Sequence, residues 1–252
     1  MPKPTRRTFL VASAAAAAAG VAAPAPAAQA AGRRTQAPDR ELREILRQID
    51  HRRIEAIVRK LVSFGTRHTL SAQDDPVRGI GAARDWIFAE LQRYAGASGG
   101  RMTVEQQSFV QPVAPRIPVP TRITNVIATL RGSVTPERIY VVTGHYDSRV
   151  SDVMDAVKDA PGADDDASGV AVIMELARVL ATRRPESTLV LAAVAGEEQG
   201  LYGSDHMAQQ YKDAGADIQA MFSNDIVGTG DPGDGSRPDP RTVRLFVEGV
   251  PT

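Results

Sequence analysis

Three adjacent carboxylates, Asp164, Asp165 and Asp166, lie inside "PGADDDASGVA", residues 161–171. Like charges this close repel, and burial makes the repulsion worse, so something must offset it. One offset is local. Asp is a favoured helix N-cap and suits the positive end of the helix dipole, and Val172, Ile173, Leu176, Val179 and Leu180 follow at helical spacing. The other is a bound cation, since divalent metals take carboxylate ligands readily. More candidate ligands recur along the chain. "GHYDS" holds His145 and Asp147, "AGEEQG" holds Glu197 and Glu198, and "SNDIVG" holds Asp225. One nitrogen with several oxygens suits zinc, with manganese or cobalt as substitutes. A carboxylate shared by two dications about 3.5–4 Å apart would account for the aspartate run. The chemistry open to such a group is hydrolysis. A metal brings the pKa of water down toward ~7 and polarises a carbonyl. A neighbouring carboxylate that is not a ligand can take the water's proton and pass it to a leaving amine. Glu197 and Glu198 offer one residue for each role, and spacing does not assign them.

These residues must be carried to one place. "RIYVVTGHYD", "STLVLAAVAGEE" and "IQAMFSNDIVG" read as strands with the candidate ligands at their C-terminal ends. Helices are expected after Asp166 and over "GSDHMAQQYKDAG". Strands alternating with helices predict an α/β layer structure with a mainly parallel sheet, and in such sheets the ligand crevice lies at the carboxyl ends of the strands. "TLVLAAVA" is apolar throughout, as a central strand covered on both faces should be. Upstream, Leu42, Ile45, Leu46 and Ile49 form one helical face, and Ile54, Ile57, Val58 and Leu61 another. Asp39 and Asp50 are placed as N-caps and Gly65 as a stop. A third helix is expected from about Asp75 to Tyr94. "MTVEQQSFV" and "ITNVIATL" predict strands, the Pro-rich segment 111–120 a loop outside any central ladder, residues 228–242 a polar loop, and "TVRLFVEG", 242–249, a last strand.

Taken together and in this order, "GHYDS", "PGADDDASGVA", "AVAGEEQGLYGS" and "NDIVG" resemble the secreted two-zinc aminopeptidases of peptidase family M28. The resemblance runs from about Arg52 to the chain end and includes "FGTRH" and "NVIATLRG". It implies the zinc exopeptidase fold, a mixed, mainly parallel sheet between helices, and substrates that are peptides or proteins with a free N-terminus. By that resemblance His145 and Asp225 bind one zinc, Asp165 bridges two, Glu198 binds the second, and Glu197 is the general base. Asp147 holds the His145 ring from behind, and Asp166 follows a cis peptide bond. The family also needs a second histidine ligand far downstream of the Asp225 motif. The histidines are His51, His68, His145 and His206, and none matches, so the expectation is a chain truncated at its C-terminus, with residues 39–252 an incomplete catalytic domain.

Other classes are disfavoured. Lys plus Arg equals Asp plus Glu, at 30 each, and no basic run argues for nucleic acid. With no cysteine, disulfides, thiolate zinc sites and thiol nucleophiles are excluded. A glutaminyl-cyclase-like acyltransferase on the same scaffold and a catalytically inactive binding domain are the competing readings. The first 30 residues read as an export signal and 31–38 as a short leader. "TRRTFL" puts Arg6 and Arg7 before an apolar run too short and weakly apolar for a good membrane span, and "AQA" offers small residues for cleavage. The arginine pair points to the twin-arginine route and a periplasmic or extracellular location; an ordinary secretory signal is the alternative. Replacing Arg6 and Arg7 together by Lys is expected to block export of the folded precursor. Unchanged secretion of that variant, followed by fractionation and immunoblotting, would favour the ordinary signal.

Overall fold

The structure, a computed structural model, describes residues 39–230, 237, 239 and 245. The export segment, the leader and, apart from Leu245, the strand expected at 242–249 lie outside the described residues. Two short helices come first, α1 (Arg40–Gln48) and α2 (His51–Val62). Asp39 and Asp50 cap them as expected, accepting from Leu42 N at 2.7 Å and Arg52 N at 2.9 Å. The rest runs α3 (Ile80–Ala95), β1 (Met102–Gln111), β2 (Thr121–Leu130), β3 (Thr135–His145), α4 (Ala167–Leu180), β4 (Ser187–Val194), α5 (Tyr202–Asp213) and β5 (Asp217–Ser223).

The five strands form one mixed sheet in the order β1-β2-β4-β3-β5. β1–β2 and β2–β4 are antiparallel, whereas β3 runs parallel to both β4 and β5. The apolar run of β4 is explained by alternation across a doubly covered sheet. Leu191 and Ala193 join the core shared with α2, α3 and α4, while Val190, Ala192 and Val194 join a second cluster with Ile127, Val141 and Met207 of α5. The Pro-rich stretch stays outside the ladder, closing on itself through an isolated bridge between Ala114 and Ile117.

One expectation shifts. The third helix starts at Ile80 rather than near Asp75. The Asp75 carboxylate accepts from Val77 N and Arg78 N at 2.8 and 3.1 Å and closes a turn. Gly79 then enters the helix at φ 93°, where a Cβ would lie 2.6 Å from the Ala72 carbonyl oxygen. The apolar face of α1 is not buried: Leu42, Leu46 and Ile49 are exposed. The junction of α1 and α2 is held to α4 by polar contacts instead, through Asp50 N to Glu175 and Arg178 to the Gln48 carbonyl. No helix among the described residues is long and apolar enough to cross a membrane.

Candidate metal centre

β3, β4 and β5 run in parallel, so their C-terminal ends share one edge of the sheet. His145 ends β3, Glu197 and Glu198 follow β4, and Asp225 follows β5. The aspartate run enters this edge from the turn before α4. Close backbone approach makes that entry possible: a Cβ on Gly144 of β3 would lie 2.5 Å from the Gly169 carbonyl carbon of α4. The missing side chain at Gly144 lets the first turn of α4 lie against the end of β3, and at Gly169 it makes room for the Asn224 carbonyl oxygen after β5.

The three aspartates then do three different things. Asp166 is the helix cap. It is fully buried, its Oδ1 accepting from Gly169 N at 2.8 Å and its Oδ2 from His145 N at 2.9 Å. Burial pushes it up to about 7 against the pull of His145 and those N–H groups. Asp164 anchors the segment after β5, accepting from Gly228 N at 2.8 Å, and Ser168 Oγ adds a second tie by accepting from Val227 N at 3.1 Å. Asp165 is the one left facing the imidazole, its Oδ1 3.1 Å from His145 Nε2. The local offset, a helix cap, is therefore in use at Asp166, while Asp165 faces an imidazole. The Asp165–Asp166 peptide bond is cis, as the resemblance implies.

Around His145 Nε2 the other carboxylates close in, with Asp225 Oδ1 at 3.9 Å and Glu197 Oε2 at 4.0 Å. His145, Asp165 and Asp225 each offer a ligand atom, and these atoms all lie within 4.8 Å of one another. Ligands of a tetrahedral zinc with bonds of about 2.0 Å sit roughly 3.3 Å apart, so one nitrogen and two oxygens here fit such an ion. The ring is aimed by what lies behind it. Nδ1 faces the Asp147 main-chain oxygen at 3.2 Å and the Asp147 carboxylate at 3.5 Å, which leaves Nε2 for the cluster. Burial opposes a charge on this ring, but Asp147 and Asp165, with Asp166 nearby, outweigh it and push the His145 pKa up to about 12. A metal on Nε2 would supply positive charge there in place of the proton.

Glu197 and Glu198 differ in surroundings. Burial raises the pKa of both. Glu197 faces His145, whereas the Glu198 carboxylate is turned to Arg149, whose Nε donates to Oε2 at 2.5 Å. Among the described residues no second imidazole joins Asp165 and Glu198, so these two do not make a second zinc site of the usual three protein ligands.

Positioning goes further than the sequence reading has it. Asp147, expected only to hold the His145 ring, is fully buried and also accepts from Glu197 N at 3.3 Å, Glu198 N at 3.1 Å and the Thr69 hydroxyl at 3.1 Å. It orients the ring and both glutamates at once. Asn125 of β2 accepts from Ala195 N at 3.1 Å and donates to the Gly203 carbonyl at 2.8 Å, fixing the turn that carries Glu197 and Glu198. Arg67, 1% exposed, ties the end of β3 to the loop before the aspartates. The available signals were an Asn in the middle of a strand rich in β-branched residues and an Arg in the quoted "FGTRH".

Comparison with known proteins gives concordant results. Residues 125–245 match peptidase family M28. A probable zinc metalloprotease of Leptosphaeria maculans is 60% identical over 216 residues, 86% of this chain and 50% of that protein. The chain spans about half the length of the curated relatives it matches. In fold it is similar to a Zn-dependent exopeptidase from Parabacteroides distasonis (TM-score 0.58, 19% identity, 73% of this chain and 63% of that one). It is also similar to the glutaminyl cyclase of Porphyromonas gingivalis (TM-score 0.55, 24% identity, 72% and 61%). Likenesses at these identities concern the fold alone.

Proposed function

From the match of residues 125–245 to peptidase family M28 and the 60% identity to a probable zinc metalloprotease, we propose that the protein is a zinc-dependent exopeptidase that removes residues from the free N-terminus of peptides. The observation that carries this reading is the meeting of His145, Asp165 and Asp225 around one point with Glu197 beside it and not among them. His145, Asp165 and Asp225 would hold the zinc, whose chemistry is to acidify water toward ~7 and to polarise the scissile carbonyl. Glu197 acts as general base. It takes a proton from the attacking water and delivers it to the departing amine, so the C–N bond breaks with a neutral leaving group. Its raised proton affinity, caused by burial and by Asp147, Glu198 and Asp225 against the pull of His145, favours that traffic at neutral pH. Asp147 keeps both the ring and the Glu197 backbone in register throughout. A second ion, if held, would draw on Glu198 and Asp165 and would need a further ligand outside the described residues.

The test uses the full natural protein, purified with its metal. Expected are bound zinc, hydrolysis of aminoacyl and unblocked peptide substrates, loss of turnover with a chelator, and no action on N-acetylated peptides. Equal cleavage of acetylated peptides would overturn the aminopeptidase reading. Conversion of N-terminal glutamine to pyroglutamate, without hydrolysis, would favour the cyclase reading that shares this fold. Absence of both reactions from a zinc-loaded protein would favour a binding domain.

A further inference from the structure

β2 runs antiparallel to β4, so it starts at the edge of the sheet where β4 ends. The loop that joins β1 to β2 therefore comes to the edge that carries His145, Glu197 and Glu198. That loop is anchored. Ala114 and Ile117 exchange two main-chain hydrogen bonds at 3.0 and 2.9 Å, Ile117 is fully buried, and the Pro115 carbonyl accepts from Tyr202 Oη at 2.8 Å. The turn between them is Pro115–Arg116, with Arg116 at φ 60°. A turn with Pro in its second place and positive φ in its third favours Gly there, because a Cβ is strained in that region. Arginine fills the position instead, and its Nη1 donates to the Glu198 carbonyl oxygen at 2.9 Å.

A second guanidinium meets the same residue. Arg149 Nε donates to Glu198 Oε2 at 2.5 Å, and its Nη1 to the Val150 carbonyl at 3.3 Å. Neither arginine is fully engaged. Arg116 is exposed and forms no ion pair among the described residues. The Arg149 side chain is 36% exposed, and its Nη2 makes no hydrogen bond among the described residues. A strained turn that presents a cation without an anion, beside a reaction centre, is the arrangement expected where the anion arrives with the substrate.

We propose that Arg116 and Arg149 form a subsite for a substrate carboxylate on the leaving side of the scissile bond, so that preferred substrates carry an acidic second residue or are dipeptides with a free C-terminus. This rests on the peptidase reading above and needs no metal beyond the group of His145, Asp165 and Asp225. The direction follows from the proton. Glu197 hands it to the departing amine, so that amine lies at Glu197. The chain beyond the amine passes the adjoining Glu198, where the two guanidiniums meet. A carboxylate arriving there would be repelled by Glu197 and Glu198 alone. The planar N–H fork of a guanidinium holds it instead by charge-assisted bonds.

The experiment compares Leu-Ala-amide, Leu-Asp-amide, Leu-Ala and Asp-Ala-amide as substrates of the full natural protein loaded with zinc. Leu-Asp-amide, Leu-Ala or both are expected to show kcat/KM roughly tenfold above Leu-Ala-amide, the size of one charge-assisted hydrogen bond. Which of the two leads tells the side chain from the C-terminus. Arg116→Gly and Arg149→Lys are each expected to abolish the preference. Glycine suits the turn, so Tm should not fall in Arg116→Gly, and lysine keeps a cation on Glu198 but cannot serve a second carboxylate at once. Calorimetry with uncleavable analogues of Leu-Asp-amide and Leu-Ala-amide, their scissile amide reduced to a methylene-amine, should give the same preference in Kd without turnover. No preference in the unaltered protein, a preference that survives either change, or a preference for Asp-Ala-amide alone would overturn the proposal. A Kd preference lost with either arginine, but no cleavage of any substrate, would support the subsite and sink the peptidase reading. Equal cleavage of all four would do the reverse.

Discussion

Glu197→Gln is expected to lower kcat by roughly 10²–10⁴-fold, the usual loss with a general base, while the protein keeps its zinc. Gln has the shape of Glu and can still accept a hydrogen bond, but it cannot carry a proton from water to amine. Its backbone contact survives, since Glu197 N donates to Asp147 whatever the side chain. The carboxylate lies 4.0 Å from His145 Nε2, outside the group of His145, Asp165 and Asp225, so metal content should not depend on it. Glu198→Gln should show the complementary result, weaker zinc binding at one site. The two variants are compared by zinc content and by steady-state hydrolysis of an unblocked peptide. If zinc loss followed the Glu197 change and Glu198→Gln kept full metal, the two roles would be reversed.

The second large effect is on stability. Arg67→Leu is expected to destabilise the fold by about 3–5 kcal/mol, as breaking a buried charge network does. The Arg67 guanidinium donates to four carbonyl oxygens, those of Tyr146 at 2.7 Å, Leu61 at 3.1 Å, Pro161 at 2.8 Å and Gly162 at 2.9 Å. Burial lowers its pKa to about 10, while Asp147, Asp166 and Asp165 hold it up, so it remains charged at neutral pH. Leucine would fill part of the space and satisfy none of these oxygens, and each buried acceptor left alone costs about 1–3 kcal/mol. It would also remove the cation beneath Asp147 and Asp166. Arg67→Lys should recover little, because a point-like ammonium cannot span four acceptors set in a planar fork. For a domain of this size the loss corresponds to a fall in Tm of roughly 10 °C, read by thermal or urea denaturation. A fall below about 2 °C for Arg67→Leu would show that water or a shifted loop satisfies the carbonyls and that the staple is dispensable.

Much of this protein is legible in its sequence, and the legible parts share a cause: they depend on near neighbours. Asp39 and Asp50 cap helices because a carboxylate reaches an N–H two or three residues ahead. β4 declares itself central because every position meets a covered face. His145, Asp165, Glu197, Glu198 and Asp225 are recognisable as candidates because each follows a strand or opens a helix, and parallel strands bring such ends together. What the tertiary structure alone decides is which carboxylate does what. Asp164, Asp165 and Asp166 are identical in type and adjacent in sequence. They part company because Gly228, His145 and Gly169 approach them from different elements. Asp147 meets Thr69 and Glu198 across 78 and 51 residues, and Arg67 meets the Gly162 carbonyl across 95. No periodicity encodes those meetings. The early start expected for α3 fails for a related reason: apolar spacing marks a face, but the turn-forming Asp75 determines where the helix begins, just as the layer that packs beside α1 determines whether its apolar face is covered. Glu197 and Glu198 differ most of all by their surroundings, since one faces His145 and the other Arg149, a choice made by the position of a guanidinium 49 residues away.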